Sequence, residues 1–338
     1  MQRRGWGPSP KAGRYGITSA AAGIIVLITL IGAWIIDQRG ASAADKKLAE
    51  LAVAAKTDPA DLVARAGRSN RIVFLSDMHT STSTKQFAAR VITRMAGTAG
   101  LDAVVLEVGA DQQRYIDQYF DRPQEDASVL LSRAKTTGAA GPASRAFIDL
   151  YRTIWSLNQK LGADQRIRVI AADLPGWPPA SAIAPSDAAR QLAERERHLY
   201  ETVSGFLTTS PGARVLVFVS GLHALKSGAV VVRTGGTAPV TVTPLAAQLA
   251  STEEVFVALV DAAAGISGRQ VAPYTGTRVA GMLEEQGIRG PLAMQITEDF
   301  DHLRQPVLEK QTPGMEFEIT PRDYTLRAVA DAYINLGR

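Results

Sequence analysis

The chain has 338 residues, of which 37 are Lys or Arg and 33 are Asp or Glu, giving a formal net charge of +4. Residues 1–39 hold five of the basic residues and one acid, so the excess lies there and the rest of the chain is neutral. A neutral body lacks the electrostatic attraction on which nucleic-acid binding depends, so we expect no nucleic-acid partner. The chain has no cysteine, which excludes disulfides, thiolate zinc sites, iron–sulfur clusters and cysteine nucleophiles.

The N-terminal residues predict a membrane anchor. Residues 16–36 are uncharged and, at about 1.5 Å per residue, would form roughly 30 Å of helix, enough to cross a bilayer. Four basic residues precede them, and such flanks stay in the cytoplasm. We therefore predict a cytoplasmic stub over 1–15, a transmembrane helix over 16–36 and an extracytoplasmic, for example periplasmic, main domain. The alternative is a signal peptide cleaved after Ala43, within a small-residue pattern.

The remaining chain predicts an α/β domain over residues 70–338, preceded by a linker and helical lead-in over 37–69. In the lead-in, Thr57 or Asp58 caps a helix that begins at Pro59. Four apolar runs then alternate with helical patterns; the runs are 71–76, 103–108, 167–172 and 214–220, and the helices are 85–95, 111–121, 143–161 and 185–207. This alternation is typical of a mostly parallel central sheet with helices on both faces.

The pattern weakens after residue 228. Shorter strands are predicted over 229–233, 239–243 and 254–260, with Gly235-Gly236 as a hairpin turn between the first two. A last strand over 291–296 and a terminal helix from about Arg322 complete the prediction.

Each of the four apolar runs ends in an ionisable residue. The first is followed by Asp77 and His79, the second by Glu107, the third by Asp173 and the fourth by His223. Ligands bind at the carboxyl edge of open α/β sheets, where these ends meet. If the strands are neighbours, we expect the five side chains to converge on one crevice.

This set of residues allows more than one chemistry. Two histidines with carboxylates can hold a divalent metal such as Fe, Mn or Zn. The same set without a metal can act in general acid–base catalysis, with a carboxylate orienting each histidine. Acids at strand ends can also serve only to solvate a turn or cap a helix. The phosphate-loop, dinucleotide, zinc-protease and nucleophile-elbow motifs are all absent from the sequence.

A charged run on the long predicted helix, residues 194–198, has two interpretations. Its alternating Glu and Arg residues are typical of a solvated helix face with i,i+4 pairs. It is also one of four short motifs that occur together in a known superfamily.

The four motifs appear in the expected order between about residues 70 and 260. The first, Gly-Glu-x-His or Gly-x-x-His, corresponds to Ser76-Asp77-Met78-His79, with Ser for Gly and Asp for Glu. The second, a strand, Glu and then a helix with Gln and Leu-Asp, corresponds to Glu107, Gln113 and Asp117. The third, Arg-Asp/Glu-x-x-Met, corresponds to Arg195-Glu196-Arg197-His198-Leu199. The fourth, Gly-x-His, corresponds to Gly221-Leu222-His223. The chain thus resembles the ChaN-like branch of the haem-binding uptake and Tiki superfamily, which includes TraB and erythromycin-esterase-like proteins.

The resemblance implies several activities. ChaN-like members suggest haem or iron binding outside the cytoplasm, with His79 and His223 as cofactor ligands. Tiki-like members suggest metal-dependent proteolysis through the two histidines and Glu107, and erythromycin-esterase-like members suggest ester hydrolysis with a histidine base. In a hydrolase, Arg195 and Glu196 would join the catalytic set, with Arg195 stabilising an oxyanion.

Three functions follow as hypotheses. The first is a membrane-anchored extracytoplasmic ChaN-like protein that binds haem, iron or another divalent metal, with metal ligands among His79, Glu107, His223, Asp77 and Asp173. The second is a metal-dependent peptidase or esterase that uses the same site, in which Asp77 and Asp173 would orient the histidine rings. The third is a non-catalytic envelope protein. The ligand would be a small molecule or a peptide, and a homodimer is one option for the oligomeric state.

Overall fold

The computed structural model describes most of the chain after residue 56. The described residues are 43, 46, 47, 50, 51, 57–79, 81–131, 144–177, 184–234, 238–262, 279, 283, 286–288, 290–300, 315–320 and 325–337. The chain divides into two units, Met1–Lys47 and Leu48–Arg338. Of the first unit, the structure describes only Ala43, Lys46 and Lys47, which are helical and exposed. The predicted stub and transmembrane helix, residues 1–15 and 16–36, lie outside the described residues. Among the residues that the structure does describe, no helix is long and apolar enough to cross a membrane.

The second unit contains ten strands and eight α-helices among the residues that the structure describes. The strands are β1 (Ile72–Asp77), β2 (Ala103–Gly109), β3 (Arg168–Asp173), β4 (Val215–Ser220), β5 (Ala229–Thr234), β6 (Val240–Val242), β7 (Val255–Asp261), β8 (Leu292–Gln295), β9 (Met315–Thr320) and β10 (Ala332–Asn335). The helices are α1 (Pro59–Ser69), α2 (Thr82–Thr98), α3 (Gln113–Phe120), α4 (Ser128–Leu131), α5 (Arg145–Asn158), α6 (Pro185–Thr209), α7 (Leu245–Ala250) and α8 (Leu326–Val329).

Seven strands form the central sheet, in the order β3-β2-β4-β1-β7-β10-β8. All neighbours pair in parallel except β10 and β8, which are antiparallel. The predicted α/β fold with a mostly parallel sheet is therefore confirmed. Strand β4 lies between β1 and β2, and Asp77 pairs with Ser220 at the end of the β1–β4 ladder. The first four predicted strands are thus neighbours, with their carboxyl ends on one edge.

Both faces of the central sheet are buried. Adjacent residues of β1 point to opposite faces, so Phe74 and Leu75 belong to two separate hydrophobic clusters. The Phe74 cluster includes residues of α6, α7 and β5, whereas the Leu75 cluster includes residues of α1, α2, α3 and α5. Helix α1 begins as predicted, with Pro59 in its first turn and Asp58 accepting the backbone N–H of Ala60 and Asp61. The helical lead-in is therefore part of the domain core.

The C-terminal third corrects the sequence prediction. The predicted last strand corresponds to β8, but two further strands follow it. The predicted terminal helix is wrong after Val329, because α8 spans only Leu326–Val329 and the chain then forms β10. The predicted start near Arg322 lies outside the described residues. Tyr333 and Ile334 are fully buried in β10, which pairs with both β7 and β8. Tertiary burial here outweighs the local helical pattern.

A second, smaller sheet also departs from the prediction. The strands predicted over 229–233 and 239–243 form the antiparallel pair β5–β6, and β9 adds to β5 on its other side. The predicted Gly235-Gly236 turn lies outside the described residues. The strand predicted over 254–260 is β7, which is buried along its whole length and pairs with β1 in the central sheet.

Candidate functional site

The carboxyl edge of the central sheet gathers the predicted residues around Glu107. The Nε2 atoms of His79 and His223 each lie 3.3 Å from Oε1 of Glu107. Arg195 donates from its Nη2 to the same oxygen. The backbone N–H of Ser220 donates to Oε2 at 2.6 Å. Glu107 is therefore the hub of the site, with three side-chain nitrogen groups converging on one carboxylate oxygen.

The position of Glu107 results from an irregularity in β2. Leu106 pairs with Ala171 of β3 and Gly109 pairs with Asp173, so β2 has one more residue than β3 over this interval. A β-bulge of this kind bends the strand and re-aims the side chains beside it. Glu107 is 4 % exposed although it is charged.

Asp77 holds the ring of His79. The Nδ1 atom of His79 lies 3.1 Å from Oδ2 of Asp77, which leaves Nε2 facing Glu107. The other oxygen of Asp77 accepts the hydroxyl of Thr84 at 2.6 Å and the ammonium of Lys85 at 2.8 Å. Asp77 is buried, whereas the His79 side chain is 38 % exposed. His79 is thus the member of the site that a ligand can reach most directly.

Glu196 holds the ring of His223 in the same way. Its Oε1 lies 2.6 Å from Nδ1 of His223, and both side chains are buried. The other oxygen of Glu196 is buried with no hydrogen-bond partner among the described residues. His223 therefore supplies the polar contact that compensates the burial of this carboxylate.

Arg195 joins Glu107 to Asp173 and is covered by an aromatic ring. Its Nε and Nη2 atoms donate to both oxygens of Asp173 at 2.6–3.1 Å. The guanidinium carbon lies 3.6 Å from the ring centroid of Trp177.

The prediction that Asp173 orients a histidine is wrong, because Asp173 binds Arg195 and Glu196 takes that role for His223. The solvated-face interpretation of residues 194–198 is likewise wrong for Arg195 and Glu196, which are buried, and holds for Arg197.

Ser76, which stands where the superfamily motif has glycine, has a structural role. Its hydroxyl accepts the backbone N–H of Val260 at 2.7 Å. The regular β1–β7 ladder ends one residue earlier, at the pair Leu75 and Ala258. The serine side chain therefore continues the connection between the two strands beyond the end of their regular pairing.

Charges within the site are balanced if both histidines are protonated. The carboxylates of Asp77, Glu107, Asp173 and Glu196 then face Lys85, Arg195, His79 and His223. Burial alone would lower the pKa of His79, but Glu107 and Asp77 raise it to about 10. Burial also lowers the pKa of His223, and Glu196 with Glu107 outweighs this and raises it to about 9. Burial opposes ionisation of Glu107, yet His79, His223 and Arg195 hold its pKa well below its usual range.

These pKa values predict that the fold loses stability in alkali. Because His79 and His223 bind protons more tightly in the folded state, their contribution is complete below their ordinary pKa of 6.5 and is lost as the pH rises toward 9–10. We expect the midpoint of thermal unfolding to fall between pH 7 and pH 10, measured by circular dichroism. In the His223→Gln variant, the midpoint of thermal unfolding should fall less over this pH range. A midpoint that stays constant or rises over this range in the wild-type protein would contradict the pKa values.

Gly109 allows the loop that carries Trp177 to approach β2. A Cβ atom at Gly109 would lie 2.7 Å from the carbonyl oxygen of Trp177 and 3.0 Å from that of Leu174. Its φ of −57° can be adopted by any residue. Glycine is therefore required because a larger side chain would clash with these carbonyl oxygens, and not because of the backbone conformation. Gly109→Ala should therefore cost about 1–3 kcal/mol of unfolding free energy through overpacking, measured by urea denaturation.

The control for this substitution is Gly205→Ala on the exposed face of α6. No atom lies within 4 Å of a Cβ built there, so alanine should stabilise the helix by up to about 1 kcal/mol. Equal effects at the two positions would show that the approach of the Trp177 loop does not constrain Gly109.

The predicted metal site of His79, Glu107, His223, Asp77 and Asp173 stays a prediction. Within the described part of the chain, no group of three or more His, Asp or Glu side chains is arranged to hold a metal ion. Arg195 contacts Oε1 of Glu107, the oxygen that both histidines face, so a metal ion there would lie beside a guanidinium cation.

Sequence reasoning missed Lys85 and Trp177, which contact the site. Lys85 falls on the buried face of α2, among Phe87, Ala88 and Val91. A lysine on an apolar helical stripe is the signal that could have identified it, since a buried ammonium needs a partner. Trp177 lies in a loop after β3, and no periodic pattern marked it.

The fold matches solved structures, although no protein-family model and no curated protein matches the sequence. A succinoglycan biosynthesis protein aligns over 87% of this chain and 97% of its own, with 9% identity and a TM-score of 0.59. A Bacillus cereus protein aligns over 87% and 97%, with 10% identity and a TM-score of 0.57. The erythromycin esterase EreC, in its open conformation, aligns over 82% and 92%, with 11% identity and a TM-score of 0.53. The family models and the curated proteins gave no match.

A looser match is to ChaN of Campylobacter jejuni, a structure with cofacially bound haem. It covers 62% of this chain and 87% of ChaN, with 12% identity and a TM-score of 0.38. At the level of fold, the match to EreC agrees with the predicted likeness to erythromycin-esterase-like proteins.

Proposed function

We propose that this protein is a hydrolase that cleaves an ester or amide bond by acid–base catalysis at His79, with Glu107 holding the catalytic groups in place. One observation carries the proposal: His79, His223 and Arg195 all direct nitrogen atoms to Oε1 of Glu107, and a carboxylate holds the far side of each histidine ring. The fold shared with erythromycin esterase EreC supports it.

The arrangement around Glu107 offers more donors than the carboxylate oxygen has lone pairs. Once His79 has taken a proton and while His223 is protonated, Oε1 faces three N–H groups, while an sp² oxygen has two lone pairs. A substrate oxygen can therefore take one N–H donor while Glu107 keeps the others. Fixed donors of this kind stabilise the oxyanion that develops during acyl transfer.

The exposed ring of His79 is suited to the proton transfers. In its neutral form, Nε2 would accept a proton from water as the water oxygen attacks the substrate carbonyl carbon. His79 would then return this proton to the leaving oxygen or nitrogen as its bond to that carbon breaks. Asp77, which holds Nδ1, keeps the accepting nitrogen at Nε2. His223 and Arg195 would stabilise the oxyanion, and Glu107 fixes all three groups.

The experiment that tests the proposal compares histidine variants on p-nitrophenyl esters and peptide anilides. His79→Ala and His223→Ala should each abolish turnover. His198→Ala is the matched control, because His198 also lies on α6 but its Nδ1 lies 3.0 Å from the carbonyl oxygen of Ala172 and not at the Glu107 site. Turnover that survives either site substitution overturns the proposal, and absence of turnover in the wild type favours a non-catalytic envelope protein.

A chelator separates this proposal from a metal-dependent peptidase or esterase. Activity should persist after dialysis against EDTA, because His79 carries out the proton transfers and His223 and Arg195 stabilise the oxyanion. Loss of activity with recovery on adding Zn or Mn would favour the metal-dependent alternative.

The pH dependence tests the role of His79. Since the reactive form of His79 is the neutral ring and its pKa is raised to about 10, kcat/KM should rise with pH from 7 to about 9. Above that pH the rate should fall, because the pKa of His223 is about 9 and the ring then loses the Nε2 proton that it donates to the oxyanion. A rate that falls between pH 7 and pH 9 would indicate that the protonated ring of His79 acts first, as a general acid.

Haem or iron binding is the second candidate, and the exposure of His79 favours it. This ring is reachable, whereas His223 is 1 % exposed and is a poor candidate for a second axial ligand. Ligation through His79 would require its Nε2 to leave Glu107. Titration with haemin should give a Soret band that is lost in His79→Ala if this candidate is correct, and a flat difference spectrum would eliminate it.

We also propose that the domain is anchored outside the cytoplasm by residues 16–36. The uncharged stretch and the basic residues before it support this topology. Alkaline phosphatase fused after residue 338 should be active if the domain is exported. Sodium carbonate extraction of membranes then separates an anchored form from one cleaved near Ala43.

A further inference from the structure

Lys85 is a buried lysine on the apolar face of α2. Its side chain is 1 % exposed, and the same helix face contributes Phe87, Ile92 and Met95 to the core. A buried ammonium is strongly destabilising unless all of its N–H groups find acceptors. The acceptors of its ammonium group therefore show which part of the structure Lys85 stabilises.

Among the described residues, the acceptors of the Lys85 ammonium lie on one short segment. Nζ lies 2.8 Å from Oδ1 of Asp77, 2.9 Å from the carbonyl oxygen of Met78 and 2.8 Å from that of His79. An ammonium has three N–H groups, so these acceptors use its full capacity. The ring of Phe147, 5.3 Å away, covers it on another side. Lys85 thus binds the turn that follows β1 and presents His79.

This turn needs such an anchor because packing does not fix His79. Its side chain is 38 % exposed, so the ring orientation depends on the backbone of His79 and on the polar contacts of the ring with Asp77 and Glu107. Lys85 contacts both the His79 backbone and Asp77. Thr84 contributes a further hydrogen bond to the same Asp77 oxygen at 2.6 Å.

We infer that Lys85 is a positioning residue of the hydrolytic site: its ammonium holds the turn from Asp77 to His79 so that Nε2 of His79 faces Glu107. The inference rests on the proposed function for its catalytic consequence. The positioning itself can be observed without turnover.

The first test is Lys85→Met, which keeps the length of the side chain and removes its donors. We expect kcat for p-nitrophenyl ester hydrolysis to fall about 100-fold with KM changed less than about threefold, because misplacing a reacting group by about 1 Å has an effect of this size. The folded state of the variant is checked by circular dichroism. A folded Lys85→Met variant that keeps kcat within about threefold of the wild type overturns the inference.

The matched control is Arg71→Met, at the amino end of β1. Arg71 also holds backbone carbonyls, those of Leu207, Ser210 and Ala213, but at the opposite edge of the sheet. We expect Arg71→Met to lower thermal stability while kcat stays within about threefold. If Lys85→Met and Arg71→Met lose kcat equally, Lys85 contributes only to the general stability of the fold, and the inference is overturned.

If Lys85→Met does not fold, the double variant Asp77→Asn/Lys85→Met takes its place. It leaves a neutral pair, which removes the uncompensated buried charge. Asp77→Asn alone is its reference, because Asp77 itself orients His79. We expect the double variant to fold and to lose about 100-fold in kcat relative to Asp77→Asn, because the carbonyls of Met78 and His79 have lost their donor. Equal kcat in the folded double variant and in Asp77→Asn overturns the inference.

A spectroscopic readout separates failure of the inference from failure of the proposed function. The Nδ1 proton of His79, bound to Asp77, should give a downfield ¹H resonance, identified by its absence in His79→Gln. We expect Lys85→Met to shift or broaden this resonance and Arg71→Met to leave it unchanged. If the wild type hydrolyses no substrate, this result still decides the positioning role, and an unaltered resonance in Lys85→Met overturns it.

Discussion

Substituting Arg195 with methionine should lower the free energy of unfolding by about 3–5 kcal/mol, the usual cost of removing one partner of a buried ion pair. The guanidinium contacts both oxygens of Asp173 and one oxygen of Glu107, and all three side chains are at most 9 % exposed. Methionine matches the stem of arginine but leaves Asp173 buried without its cation. Urea denaturation followed by circular dichroism measures the loss.

The control for this prediction lies two residues away on the same helix. Arg197 pairs with Glu201 at the surface in an i,i+4 arrangement, and both side chains are more than half exposed. Arg197→Met should therefore cost no more than about 0.5 kcal/mol. If Arg195→Met lowers the free energy of unfolding as little as Arg197→Met does, the charge of Arg195 contributes little, because methionine keeps the hydrocarbon stem and removes only the charge.

Substituting Glu107 with glutamine should reduce kcat about 10²–10⁴-fold, the range observed on removing an acid–base or electrostatic group. The amide keeps the size of the side chain but removes the negative charge that His79, His223 and Arg195 share. Burial lowers the pKa of each histidine and Glu107 opposes that effect, so both pKa values should fall in the variant. Titration of the ring resonances by NMR measures this change directly.

Glu253→Gln is the matched control for Glu107. Glu253 pairs with Arg71 at the opposite end of the sheet and is 27 % exposed. The variant should retain kcat and leave both histidine titrations unchanged. If Glu107→Gln retains activity, the hub role of Glu107 is wrong, whatever happens to the histidine pKa values.

The local pattern was sufficient to predict the central strands and the residues that follow them. Strand β1 is a continuous apolar run, and its burial on both faces follows from that composition. Because parallel strands share a carboxyl edge, the positions of Asp77, Glu107 and His223 at strand ends already implied their convergence.

The partners of these residues depend on tertiary contacts that no local pattern encodes. The choice between Asp173 and Glu196 as the carboxylate for His223 depends on the rotation of α6 against the sheet. The end of the chain shows the same limit, since Ala332–Asn335 becomes a strand because β7 and β8 leave a place between them. A prediction from periodicity cannot contain either of these facts.

The position of β4 between β1 and β2 also has a consequence for how the chain folds during its synthesis. Ser220 at the end of β4 lies 113 residues after Glu107, yet its strand fills the gap between β1 and β2. At about 5–20 residues per second, a ribosome needs roughly 5–20 s to make the intervening segment. During that time the apolar edges of β1 and β2 that β4 will cover are open, and such edges are sites for aggregation or for capture by a chaperone. Insertion of β4 closes these two edges and brings His223 to His79, which completes the site, whereas the other edge of β1 stays open until β7 is made.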